Sequence, residues 1–198
     1  MELASKMRWV IVVFVVLIVI VFLGWGLSAI ARSIFSAGSD STQVEETAGP
    51  SIDGAASVRY IVDGPIVASK DHRRYEIDIS ERVVMMRLLS DYGQKVITEK
   101  SYQNNAEAYD TFIEALSQAR ATARVSGTTT EDDYNEQGVC PTGQRYILEV
   151  GDIIRRWTAS CDRKLGTAGG KMTTMRNLFI KQVPDFNDIV KDTTLNRQ

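Results

Sequence analysis

Histidine is almost missing from this chain: His72 is the only one among 198 residues. With two cysteines beside it, a Cys/His zinc site fails by count, since such a site needs about four ligands. A hydrolytic triad would have to use His72, and no Gly-x-Ser-x-Gly elbow accompanies it. His72 sits in KDHRRYE and reads as a surface histidine in a charged turn before a strand. Neither Gly-x-x-x-x-Gly-Lys nor Gly-x-Gly-x-x-Gly occurs, so a nucleotide site has no support and no cofactor is expected. Charge of one sign is also lacking: 25 acids face 23 bases. That balance offers no basic field for nucleic acid and no acidic tail. The doublets Arg73-Arg74, Arg155-Arg156 and Arg163-Lys164 do not alter this, because strand neighbours point to opposite faces and each doublet sends one charge to either. With only four prolines and 14 glycines, the chain is neither fibrous nor wholly disordered.

Charge is absent altogether from Trp9 to Ala31, WVIVVFVVLIVIVFLGWGLSAIA, a run of 23 residues in which only Ser28 is polar. As a helix it spans about 34 Å, enough to cross a hydrocarbon core. Trp9 and Trp25 stand near its ends, where indoles favour the membrane boundary. Lys6 and Arg8 precede the run and Arg32 alone follows closely, so the positive-inside rule places residues 1–8 in the cytoplasm by one charge. Ala29-Ile30-Ala31 also fits a signal-peptidase site, but the apolar stretch is longer than an h-region of about 7–15 residues, which favours an uncleaved anchor. Gly24 and Ser28 form a small-xxx-small pair, here read as incidental.

Residues 32–56 are rich in Ser, Gly, Ala and Thr and read as a flexible linker. A domain is expected over 57–187, with a polar tail over 188–198. Within the domain, Ser57–Asp63, Arg74–Ser80, Val83–Leu89 and Lys95–Tyr102 read as strands. Asn104, with Glu107 three residues on, predicts a capped helix whose Ala108, Phe112, Leu116 and Ala119 face inward. A hairpin around Gly151-Asp152 follows, then a helix over 171–182 with Met172, Met175, Leu178 and Phe179 inward, stopped by Pro184. Gly169-Gly170 ahead of that helix can seat an anion, but the commoner role is a loop-to-helix joint. The expected fold class is α+β: an N-terminal transmembrane helix, then an antiparallel sheet of about five to six strands with two helices packed on it.

The two cysteines, Cys140 and Cys161, lie at the ends of the hairpin. If Val150 and Ile153 flank the turn, Leu148 opposes Arg155, Tyr146 opposes Trp157, and Cys161 faces residue 142. A small register shift or bulge then brings the thiols together. A disulfide persists in an oxidising compartment, so the pair agrees with an extracytoplasmic domain. Asp133, Asn135 and Gln137, with Gly138, begin like a calcium loop, but position 12 falls on Gln144 where a bidentate Glu is wanted. A solvated acidic loop is the commoner reading. Tyr146 and Trp157 read as a cross-strand core pair.

The order Cys140-Pro-Thr-Gly, Tyr146, Trp157-Thr-Ala-Ser-Cys161, Arg176-x-Leu-Phe and Gln182-x-Pro-Asp-Phe186 resembles uncharacterised single-pass membrane proteins of candidate-phylum bacteria of the saccharibacterial type, over residues 57 to 187. That resemblance implies no activity and no site residues. The sequence therefore points to a membrane-tethered, non-enzymatic binding or accessory module with a protein partner in the envelope. An envelope hydrolase working through carboxylates, and an accessory subunit recognised through its membrane helix, are the alternatives. No catalytic residue is assigned.

Overall fold

The computed structural model describes residues 46–162 and 164–196. The apolar run 9–31, its flanking charges and the linker up to residue 45 lie outside the described residues. Among the described residues, no helix is long and apolar enough to cross a membrane.

Six strands form one antiparallel sheet: β2 (Ser57–Asp63), β3 (Arg73–Ser80), β4 (Val83–Ser90), β5 (Lys95–Gln103), β7 (Arg145–Val150) and β8 (Ile154–Ala159), in the order β5-β4-β3-β2-β7-β8. A two-stranded ribbon joins β1 (Glu46–Thr47) to β6 (Arg124–Val125). The helices are α1 (Ala106–Gln118), α2 (Met172–Lys181) and the short α3 (Phe186–Val190). The chain begins its sheet at β2, near the middle, and meanders outward to β5. Helix α1 then carries it back, and the β7–β8 hairpin adds to the other side of β2.

Alternation decides the two faces. Val58, Tyr60 and Val62 of β2, Tyr75, Ile77 and Ile79 of β3, and Val84, Met86 and Leu88 of β4 face the helices and are buried. Helix α1 covers them with Tyr109, Phe112, Ile113 and Leu116. From α2, Phe179 stacks on Tyr60 with ring centroids 5.1 Å apart, and Phe112 meets Phe179 edge-on at 5.1 Å. Each such aromatic contributes roughly 1.5–3 kcal/mol by burial. The opposite face carries a charge ladder across neighbouring strands. Arg59 lies 2.8 Å from Asp78 and 3.5 Å from Glu149, while Arg74 and Arg87 each lie 2.8 Å from Glu76.

Several expectations are corrected. The cap of α1 is Asn105, whose side chain accepts from the Ala108 N–H at 3.0 Å; Asn104 instead donates its amide to Ser80 O at 2.7 Å. The inward stripe therefore takes Tyr109 and Ile113, and Ala108 is exposed. In the hairpin, Val150 pairs with Ile154, Leu148 with Arg156 and Ile147 with Trp157, one residue away from the expected register. A third residue enters the turn: Gly151 takes φ +53°, and Ile153 points into solvent at 92% exposure. The shift puts Tyr146 opposite Thr158 on the helix-covered face and sends Trp157 to the other, so the two rings do not pair.

The linker ends early. Glu46–Thr47 is paired, Ile52 is buried, and Thr122 Oγ1 donates to Pro50 O at 2.7 Å. The polar tail is also part of the core. Its Val190 and Leu195 are buried, and just before it the equally buried Phe186 meets Tyr75 edge-on at 5.2 Å. A few apolar residues per turn suffice for this, and the polar residues between them mask the pattern in sequence.

Candidate functional site

After β8 the chain doubles back along the sheet edge. Gly166 has φ +117°, and a Cβ there would stand 2.1 Å from Trp157 O. The Thr167 and Ala168 N–H groups both donate to that carbonyl, at 2.9 and 3.0 Å. A Cβ on Gly170 would stand 2.2 Å from Arg120 O, so this glycine permits a close joint between loop and helix. The returning chain thus bridges to the sheet edge at Thr158, and α2 begins just beyond the joint.

Between them lies a groove of about 390 Å³, floored by Tyr60 and Tyr146, with Thr158 and Ser160 on the strand side and Met172, Thr173 and Arg176 on the helix side. The size falls in the range of small-ligand pockets. Arg176 is the one charged residue in its wall. Spacing of three residues on α2 puts Thr173 and Arg176 on one face, a turn apart. Lys171, at the N-cap of α2, makes no side-chain cap bond, and the Met172 N–H turns back to Gly170 O at 2.9 Å.

The groove is electropositive for a structural reason. Most other partly enclosed arginines have acids: Arg59 with Asp78, Arg74 and Arg87 with Glu76, Arg145 with Asp63, Arg124 and Arg156 with Asp133; Arg73 instead donates to the Lys70 and His72 carbonyls. Among the described residues no carboxylate forms an ion pair with Arg176; its Nε is buried, and its guanidinium lies against the Tyr75 hydroxyl. Three phenols surround the guanidinium. Burial raises Tyr60 well above its ordinary pKa and Tyr75 to about 12, and raises Tyr146 too, with Arg176 pulling each downward. The phenols are therefore neutral at physiological pH and do not cancel the arginine. The Tyr75 hydroxyl, fully buried behind the floor, is the one that Arg176 reaches most directly, by charge and by hydrogen bonding.

A second depression, of about 460 Å³, lies between β5 and α3. It carries charge of both signs, Arg73 and Lys100 against Asp185, Asp188 and Asp192; Lys100 stands 3.2 Å from Asp185, and Tyr102 donates to the same carboxylate.

The residues singled out by sequence lie elsewhere. Cys140 and Cys161 are joined in a disulfide with Cα atoms 5.8 Å apart. In the observed register Cys161 faces residue 143, so pairing needs the chain to fold back. A turn does this: the Gly143 N–H donates to Cys140 O at 3.0 Å, with Cys140 at φ +54°. A Cβ on Gly143 would stand 2.5 Å from Cys140 Sγ, so the bridge requires glycine there.

Asp133, the first residue of the calcium candidate, is buried and held by arginines. Arg124 and Arg156 both donate to its Oδ2. Asn135 reaches only the neighbouring Asp132, at 3.5 Å, and Gln137 is exposed in the same loop. Guanidinium groups take the place a cation would need. Among the described residues no three His, Cys, Asp or Glu side chains converge to hold a metal. The loop is instead a clamp on β8: Arg155 Nε donates to Asp133 O at 3.1 Å and Trp157 Nε1 donates to Asp132 O at 2.7 Å. Arg155 and Arg156 point to opposite faces, as alternation requires, yet the loop wraps the edge and engages both.

His72 is a correction. It is fully buried and stacks on Tyr92, with ring centroids 4.0 Å apart. The turn that supplies Tyr92 covers it. Sequence reasoning passed over Arg176, whose only signal was a lone base on a helix face that otherwise turns inward. Compared with known protein families, curated proteins and solved structures, the chain matches none.

Proposed function

We propose that this chain is a membrane-tethered, extracytoplasmic binding module, and that the groove beside α2 holds its ligand. Arg176 carries the reading. It is a charge without an acid partner among the described residues, on the wall of a groove of ligand size. The tether is supported by the 23-residue uncharged run and its one-charge asymmetry. The compartment is supported by the disulfide at the hairpin mouth, since such bonds persist where conditions are oxidising. The carboxylate-hydrolase alternative needs two convergent acids. The buried acids Glu76 and Asp133 are each engaged by two arginines instead.

Two measurements on native cells test this. Maleimide labelling of Cys140 and Cys161 only after an impermeant reductant is expected for an extracytoplasmic domain; free thiols reached only after lysis would overturn the location. A photo-crosslinking residue at Thr173 is expected to capture an envelope molecule, while one at Thr111, exposed on α1, is not. Equal capture from both positions would overturn the groove as the binding site.

A further inference from the structure

We infer that the groove takes a monoanionic carboxylate carried on an apolar or aromatic stem; this deepens, and rests on, the binding role proposed above. Charge counting comes first. The wall holds one positive charge, Arg176, and no acid. A carboxylate matches a single guanidinium in charge and in geometry, because the two parallel N–H groups of the fork meet two oxygens. A phosphate dianion would leave one negative charge unanswered in a partly enclosed site.

The donors around Arg176 favour an acceptor-only group. The first turn of α2 presents N–H groups that no side chain caps, and the dipole of a ten-residue helix adds positive potential there. Thr173 stands one turn before Arg176 on the same wall. The nearby strand hydroxyl is already committed: Thr158 donates to Leu165 O at 3.0 Å. Specificity for an anion therefore rests with the helix side.

The stem follows from the rest of the groove. Tyr60 and Tyr146 form the floor and Met172 the rim, so an apolar or aromatic body has surface to cover while its carboxylate reaches Arg176. A free aromatic acid and the C-terminus of a peptide both present this chemistry.

The test uses the full chain in detergent micelles and nuclear magnetic resonance of the Thr158, Thr173 and Arg176 side-chain and backbone N–H signals. The probes are benzoate for a free acid, N-acetylphenylalanine for a peptide C-terminus, N-acetylphenylalanine amide as the neutral match, and phenyl phosphate. At least one carboxylate is expected to saturate shifts at those residues, about tenfold or more tighter than the amide or the phosphate. The tighter of the two acids identifies the source. Arg176→Gln is expected to weaken the acid by about tenfold or more, and Arg176→Lys to restore only part of it. Equal binding of acid and amide, or tighter binding of phenyl phosphate, overturns the carboxylate assignment without needing any variant. If no probe binds while the Thr173 crosslink persists, the ligand class is wrong and the binding role stands. If the crosslink is absent as well, both fall.

Discussion

His72 Nε2 lies 3.1 Å from Asp63 Oδ1, and Asp63 Oδ2 accepts from Arg145 Nη2 at 2.5 Å. Arg145 also donates to Gly64 O at 2.9 Å. A buried imidazole, a carboxylate and a buried guanidinium thus form one line that joins the turn before β3 to β2 and β7. Tyr92, in the turn after β4, closes it by donating to Val67 O at 2.6 Å.

This line makes stability depend on pH. His72 is held below its ordinary pKa of 6.5, first because burial disfavours the imidazolium; Arg145, Arg74 and Arg73 repel the proton, and Asp63 pulls the other way. The folded pKa is the lower one, so as pH falls the unfolded chain takes up the proton first. The stability from neutral His72 is complete above about 6.5 and declines as pH drops below it. His72→Phe keeps a ring against Tyr92 and removes the titration. Urea unfolding between about pH 5 and pH 8 is expected to show a shallower acid-side slope in the variant than in the parent. Equal slopes would contradict a neutral buried histidine.

Asp133 is expected to behave as a structural anchor. Asp133→Ala leaves Arg156, which is buried, without its acid. Removing one partner of a buried pair costs about 3–5 kcal/mol. Burial already lowers the Arg156 pKa, with Asp133 opposing that shift, so the acid keeps the charge tolerable. Denaturant midpoints should fall accordingly, and millimolar calcium should leave the parent's midpoint unchanged. A clear calcium-induced rise would reinstate the metal reading.

The disulfide closes a loop with a sequence separation of 21. Replacing both cysteines with serine is expected to cost about 3 kcal/mol in the chain-entropy account. Equilibrium unfolding of the double variant against the oxidised parent measures this. A loss near zero would mean that the unfolded chain already keeps the two ends of this hairpin close together.

Phe186 should be as costly to truncate as any residue of the central sheet. It is 4% exposed and packs edge-on against Tyr75. Phe186→Ala is expected to cost about 3–5 kcal/mol by burial and cavity formation. A change under about 0.5 kcal/mol, typical of surface sites, would show that the segment after Pro184 does not belong to the core.

Much of the sheet was legible because alternation is a local signal. Tyr75, Ile77 and Ile79 repeat every second residue, and their burial follows from strand geometry alone. The hairpin register was less so, because it turns on whether two or three residues enter one turn, and Gly151 with a positive φ admits three. His72 was misplaced because its cover, Tyr92, comes from a turn 20 residues later in the chain. Asp133 looked like a cation ligand because its own stretch is acidic, whereas Arg124 and Arg156 reach it from other elements.

By itself, the sequence determined the uncharged N-terminal run, the α+β class, the strands of the six-stranded sheet and the pairing partners of the two cysteines. These depend on composition, short-range periodicity and a count of two. Only the tertiary structure decided that Arg176 stands without an acid partner among the described residues while Arg156 does not, and that a groove lies beside it. An arginine's environment is set by which distant carboxylates the fold brings within a few ångströms, and no local pattern of residues encodes that distance.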